Sequence, residues 1–203
     1  MSDVLNPLPD TDAYDALIFD WDGTLVDSHE AHYAALNDVL GRLGVSVPWS
    51  WYAARTGTSS AETLVQAAEE HRITLPRPAE ELAAECETAY LGRLDRVREI
   101  GWVCDLARKN AHRPIAVASG GRRAGIEATM AALGLAGLFP VLVTREDVDA
   151  GKPSPQLFLL AARRLGAEPA RCLVLEDSDE GCLAAHRAGM PVVDIRPIAP
   201  GGP

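Results

Sequence analysis

From residue 98 onward the chain alternates short β-rich runs with amphipathic helical ones, and strands separated by helices pair side by side in parallel. Residues 115–118, 139–143, 172–175 and 192–195 read as strands, each bounded by glycine, proline or charge. Between them, "RRAGIEATMAALG" sets Ile126, Met130 and Leu133 on one helix face, and "SPQLFLLAARRLG" does so with Leu157, Leu160, Ala161 and Leu165. The second segment opens on Ser154, which can cap, and Pro155, which fits the first helical position. Residues 16–19 add a fifth strand, so the expected fold is α/β, a Rossmann-like open parallel sheet of about five strands flanked by helices. Strands as apolar as "CLVL" suit a sheet covered on both faces.

Residues 29–97 break that alternation and read as helical throughout. Tyr33, Leu36, Leu40 and Leu43 share a face; Ser59 and Glu62 form a capping box ahead of Leu64, Val65 and Ala68; Leu82, Cys86, Ala89 and Leu94 make a third face. The expected organisation is an α/β core of residues 1–28 and 98–203, with residues 29–97 inserted as an all-helical cap. A chain of 203 residues is long enough for one ordinary domain with such an insertion. The tail "PIAPGGP" has no periodicity and is expected to be disordered.

With 47% hydrophobic residues the chain can bury a core, and a formal charge of -10 argues against nucleic acid or an anionic membrane as the main partner. A small anionic substrate held through a metal ion stays open. The N-terminal "MSDVLNPLPDTDAYD" has neither a basic start nor an apolar run, and no later stretch approaches bilayer length. Cys86, Cys104, Cys172 and Cys182 form no C-x-x-C pair and sit among apolar neighbours, as buried reduced thiols do. The expectation is a soluble cytoplasmic protein, a monomer or weak dimer.

In an open α/β sheet, ligands bind outside the carboxyl ends of the strands. Here the first strand ends in Asp20 and Asp22, the second in Ser119, Gly120 and Gly121, and the fourth in "LEDSDEG", with Glu176, Asp177, Ser178 and Asp179. Lys152 stands in "AGKPSP", on a short loop stiffened by proline. If the first and fourth strands are neighbours, these groups converge. Strand alternation would send Asp20 and Asp22 to the same face, a repulsive pair that a divalent cation would relieve. Asp179 reads as a solvated helix-start residue. Ser119 with Gly120 is open to two readings, a simple strand-to-helix turn or a phosphate-binding turn at a helix N-terminus.

The order and spacing of "DWDGT", "SG", the lysine of "GKPSP" and "ED" resemble the four motifs of the haloacid-dehalogenase-like hydrolase superfamily. "RPIAVASG", "KPSPQLFLLAARRLG" and "LEDSDEG" are similar to its β-phosphoglucomutase-like branch, in particular to bacterial sugar-phosphate phosphatases of the fructose-1-phosphatase type. The resemblance implies a magnesium-dependent phosphatase of a small phosphorylated metabolite. Asp20 would be the nucleophile forming an aspartyl-phosphate, and Asp22 the proton carrier, with its pKa raised by neighbouring carboxylates. Asp20, Asp177 and the Asp22 carbonyl would ligate Mg2+, with Glu176 a direct ligand or bound through water. Lys152, Ser119 and the backbone of Asp22, Gly23 and Thr24, with Gly120 nearby, would hold the phosphoryl oxygens.

Dehalogenases attack carbon and lack the second aspartate that Asp22 supplies. The mutases of the branch carry an arginine and a lysine for a second phosphate, where this chain has Ser60 and Gly92, the latter beside Arg93. That difference favours a phosphatase over a mutase; a catalytically inactive binding protein is a third reading. His32 corresponds to a histidine of the mutase hinge, or is a hydrogen-bonded structural residue. In the cap, Arg55, Thr56, Gly57, Thr58 and Ser59 are expected to close over substrate, while Trp49, Trp51 and Tyr52 read more readily as internal packing than as a sugar platform.

Overall fold

The computed structural model describes residues 10–196, so the tail "PIAPGGP" lies outside the described residues. Strand β1 (Ala16–Phe19) runs into a turn and a short strand β2 (Val26–Asp27), followed by helices α1 (His29–Gly41), α2 (Trp49–Ala53), α3 (Ser60–His71) and α4 (Ala79–Leu91). Strand β3 (Arg98–Glu99) then pairs antiparallel with β2, bringing both ends of the helical excursion together. The remainder alternates: α5 (Gly101–Lys109), β4 (Ile115–Ala118), α6 (Arg123–Ala132), β5 (Val141–Val143), α7 (Gln156–Leu165), β6 (Cys172–Glu176), α8 (Asp179–Arg187) and β7 (Val192–Asp194). The five long strands form one parallel sheet in the order β5-β4-β1-β6-β7.

Period-two alternation along these apolar strands builds two cores. Leu17 and Phe19 of β1, Ile115 and Val117 of β4 and Leu173 and Leu175 of β6 face Val103, Cys104 and Ala107 of α5 and Ile126 of α6. Ala16, Ile18, Ala116, Ala118 and Val174 face Leu157, Phe158 and Ala161 of α7 and Ala184 and Ala185 of α8. Every residue of β1, β4 and β6 is buried, as a sheet covered on both faces requires. Helices α1, α3 and α4 share a third core, built on Leu36, Leu40, Leu64, Leu82 and Cys86. All four cysteines are free and buried.

Several boundaries differ from the sequence reading. Strand β5 starts at Val141 because Phe139 is instead packed edge-on against Phe19, with centroids 5.8 Å apart. Strand β6 runs one residue further and includes Glu176. Helix α7 starts at Gln156, with Pro155 itself at the cap. Val65 is 40% exposed, the buried face of α3 being formed by Ala61, Leu64, Ala67 and Ala68. The β2–β3 pair was not anticipated, since two residues on each side are too few for a periodic signal.

The capping box at α3 is present in full: the Glu62 N–H donates to Ser59 Oγ at 3.2 Å, and the Ser59 N–H donates to Glu62 Oε2 at 3.0 Å. Ser59→Ala is expected to lower stability by about 1 kcal/mol in urea unfolding. An unchanged midpoint would show that the cap contributes nothing.

Candidate active site

Chain order and strand order part company at β1. The chain leaves β1 toward β4 and β5 on one side and returns to β6 and β7 on the other, so the sheet's switch point lies between β1 and β6. Their register pairs Phe19 with Leu175, which sets Asp20 and Glu176 side by side just beyond. The Asp20 N–H donates to the Leu175 carbonyl at 3.0 Å, continuing the ladder one residue past β1. Ser119 follows β4 on the other flank of β1.

Lys152 reaches into this corner from the loop before α7 and hydrogen-bonds both Asp20 Oδ1 and Glu176 Oε1, its side chain only 5% exposed. Glu176 is fully buried, and its second oxygen accepts from the Ser178 N–H at 2.6 Å and the Ser178 hydroxyl at 2.9 Å. Asp177 Oδ1 accepts from Thr24 Oγ1 at 3.0 Å, and its Oδ2 lies 3.8 Å from His29 Nε2. Asp20, Glu176 and Asp177 offer carboxylate oxygens all within 4.8 Å of one another.

One lysine cannot neutralise three carboxylates. Burial, with Glu176 and Asp177 nearby, pushes the Asp20 carboxyl well above its usual range although Lys152 pulls the other way. Burial and the Glu176 charge push Asp177 up to about 7. Lys152 itself is held above its ordinary range: burial works against its charge, but Asp20 and Glu176 outweigh it. An oxygen-rich, net-negative corner of this size fits a hard divalent cation, which would supply the missing charge and polarise phosphoryl oxygens when bound.

Asp22 has different surroundings from those expected. Its Oδ1 accepts from the Ser28 hydroxyl at 2.6 Å and lies 3.1 Å from His32 Nε2. Burial raises its pKa, but the charge and hydrogen bond of His32, with Ser28, outweigh it and leave the carboxyl below its ordinary range. The expected upward shift is therefore not found, because the residues touching Asp22 are donors rather than carboxylates. His32 stacks flat on Tyr90, rings 4.0 Å apart and 2° from parallel, and Tyr90 is tied to Thr129 at 2.8 Å. This chain of contacts makes His32 a positioning residue for Asp22. Trp21 points into the core, where it is 1% exposed.

The turn after β1 needs its glycine. Gly23 has φ +84°, and a Cβ there would lie 2.1 Å from Asp177 Oδ2. The Gly23 and Thr24 N–H groups donate within the turn, to Val26 and Trp21, so these two expected phosphate-binding amides are already engaged. Ser119 Oγ accepts from the Gly121 N–H at 2.9 Å, a turn bond that leaves its own hydroxyl hydrogen to donate. Gly120 lies beside it on the wall of a cavity of about 610 Å³ that contains Asp20, Asp22, Ser119, Lys152, Glu176 and Asp177.

The helical segment supplies the opposite wall. Gly57 sits directly on the loop after β6; a Cβ there would meet Ser178 Cβ at 3.0 Å. Arg55 lines the cavity, but its guanidinium is turned inward: it stacks on Trp51 and donates to Gln66 Oε1, Glu70 Oε1 and the Trp51 carbonyl. The expected substrate contact of Arg55 is thus not made by a free guanidinium. Ser60 lines the cavity, whereas Arg93 pairs with Asp38. Of the aromatic trio, Tyr52 reaches the cavity while Trp49 and Trp51 do not. Asp179 is exposed and pairs with Arg196, as a solvated helix-start residue does.

Sequence reasoning passed over His29, Glu87, Arg122 and Arg145 and read Tyr52 as internal packing; all five stand on the cavity wall. Glu87 of α4 accepts from the Gly125 N–H at 2.9 Å and pairs with Arg122 at 2.7 Å, so a carboxylate of the helical segment serves the N-terminus of α6. No local pattern announces such a contact, because its partners are 38 residues apart.

The family model for haloacid dehalogenase-like hydrolases matches residues 14–189. The chain belongs to the haloacid dehalogenase-like hydrolase family. Among this hydrolase's relatives, the Escherichia coli fructose-1-phosphate phosphatase YqaB is 36% identical, covering 90% of this chain and 97% of that one. The validoxylamine A 7'-phosphate phosphatase of Streptomyces hygroscopicus is 32% identical, covering 87% and 83%. Among solved structures, CbbY of Rhodobacter sphaeroides in complex with xylulose-(1,5)bisphosphate superimposes with a TM-score of 0.79 at 26% identity, covering 88% of this chain and 84% of that one.

Gly181, in the first turn of α8, leaves the space that Glu176 fills: a Cβ there would lie 1.7 Å from Glu176 Oε1. Gly181→Ala in this hydrolase is expected to cost about 1–3 kcal/mol in urea unfolding, because Glu176 must give up its Ser178 and Lys152 contacts. Wild-type stability in the variant would contradict this packing.

Proposed function

We propose that the chain is a magnesium-dependent phosphatase that releases phosphate from a sugar monophosphate or a similar small metabolite through an aspartyl-phosphate at Asp20. The observation that carries this reading is the convergence of Asp20, Glu176, Asp177 and Lys152 at one buried corner opening onto a cavity roofed by helices. The relatives named for fructose-1-phosphate and validoxylamine A 7'-phosphate support the substrate class. Asp20, Asp177 and the Asp22 carbonyl would hold Mg2+; of the two roles expected for Glu176, direct ligation or a bond through water, its contacts with Lys152 and Ser178 favour the second.

In this reading Lys152 and the Ser119 hydroxyl grip the phosphoryl oxygens while Asp20 Oδ attacks phosphorus and the P–O ester bond breaks. Asp22 passes a proton to the departing oxygen, then takes one from the water that cleaves the aspartyl-phosphate. Because His32 and Ser28 favour the ionised carboxylate, Asp22 must take up the proton it donates as the phosphate dianion arrives, whose added negative charge raises its proton affinity. Residues 29–97 act as a cap that encloses this step, and residues 1–28 with 98–203 as the core. Among the described residues no helix is long and apolar enough to cross a membrane. Free buried cysteines fit a reducing cytoplasm, and we assign the chain there, as a monomer or weak dimer.

The turned-in Arg55 and the engaged Arg93 support hydrolysis over a mutase reaction, which must hold a second phosphate. A panel of phosphate esters assayed with and without magnesium tests the assignment: inorganic phosphate should appear only with the metal. Asp20→Asn should lower that rate at least about a thousandfold. Isomerisation dependent on a bisphosphate would favour the mutase, and metal-independent release, or full activity in Asp20→Asn, would overturn the proposal.

A further inference from the structure

We propose that Tyr52 is a specificity-determining residue, its phenol donating a hydrogen bond to a hydroxyl of an uncharged, hydroxylated leaving group. This rests on the phosphatase reading above and adds the class of alcohol released. Three tyrosines belong to the helical segment over the site, and they are not equivalent. The Tyr33 hydroxyl donates to the Val47 carbonyl at 3.1 Å, and that of Tyr90 is bonded to Thr129 at 2.8 Å. Among the described residues the Tyr52 hydroxyl has no protein partner, and Tyr52 lines the cavity that holds Asp20 and Asp177.

The ring is held in place before any ligand arrives. Tyr33 and Trp49 each pack against it with centroids 5.6 Å away, and His29 lies edge-on at 6.4 Å. His29 Nε2 in turn stands 3.8 Å from Asp177 Oδ2, so a single imidazole separates Tyr52 from the acidic corner. A phenol on a fixed ring binds with little loss of conformational freedom, and it can only be satisfied here by water or ligand.

Charge on the cavity wall selects the kind of ligand. Arg55 is held by Gln66 and Glu70 and Arg122 by Glu87, while Arg145 and Arg187 donate to the carbonyls of Val148 and Pro153. Arg145 and Arg187, bonded to neutral carbonyls, keep their charge on the core side. On the helical side, where Tyr52 stands, the one lining arginine among the described residues is Arg55, neutralised by Glu70. A second phosphate or a carboxylate on the leaving group would find no arginine free to pair with it there. A neutral donor such as Tyr52 suits a sugar or polyol hydroxyl.

The test compares wild type with Tyr52→Phe, which keeps the ring and its packing. Phosphate release is measured with magnesium from hexose and pentose monophosphates and from phenyl phosphate, whose leaving group carries no hydroxyl besides the ester oxygen. The ratio of kcat/KM for the best sugar phosphate to that for phenyl phosphate should fall about tenfold or more in Tyr52→Phe, mainly through KM. A ratio within about twofold of wild type overturns the assignment, as does a best substrate that carries a second phosphate or a carboxylate, or turnover of phenyl phosphate with none of any sugar phosphate. Failure of the wild type on every ester overturns the phosphatase reading itself, and this inference with it.

Discussion

Two buried carboxylates, Asp20 and Glu176, share one lysine at the carboxyl ends of β1 and β6 with a third, half-buried Asp177, beside them, and the rest of the site is arranged around that imbalance. Burial, reinforced by the mutual repulsion of acids at this spacing, displaces Asp20 and Asp177 upward. The sheet tolerates the cluster because each member is anchored: Glu176 by Ser178 and Lys152, Asp177 by Thr24, Asp20 by Lys152. Gly23 and Gly181 leave the room those carboxylates occupy. A cation that fills the deficit would favour the ionised form of Asp20, which the proposed nucleophilic role requires.

Much of this was legible in the sequence because it depends on local pattern. Continuous apolar runs such as "ALIF" and "CLVL" mark strands buried on both faces, and acids or small polar residues just after them mark the ligand end of a parallel sheet. The capping box of Ser59 and Glu62 is equally local. What the sequence could not show are contacts between residues distant along the chain. Asp22 was expected beside carboxylates; the fold brings it Ser28 and His32 instead, and its pKa moves the opposite way. Arg55 was expected to face substrate; Glu70, one helix later, turns it away. Tyr52 was grouped with Trp49 and Trp51, yet a short helix separates their directions and sends one of the three to the cavity.

The helical segment is more than a lid of general shape. Glu87 satisfies the start of α6, Tyr90 joins Thr129, and Gly57 rests on Ser178, so three separate contacts register the helices on the sheet. Two of them pass directly to groups on the cavity wall: Glu87 orients Arg122, and Tyr90 backs the His32 ring that holds Asp22. The seating of the helices on the sheet and the placement of Asp22 are thereby linked through side chains.

The charge deficit at Asp20, Glu176 and Asp177 is tested most directly by titrating Mg2+ into the protein calorimetrically at pH 7 in two buffers of different ionisation heat. With Asp177 pushed up to about 7, metal binding must displace protons. The account predicts one site per chain, a measured heat that differs between the buffers, and loss of the site in Asp177→Asn. No binding by the wild type, binding without proton release, or equal binding in Asp177→Asn would contradict it.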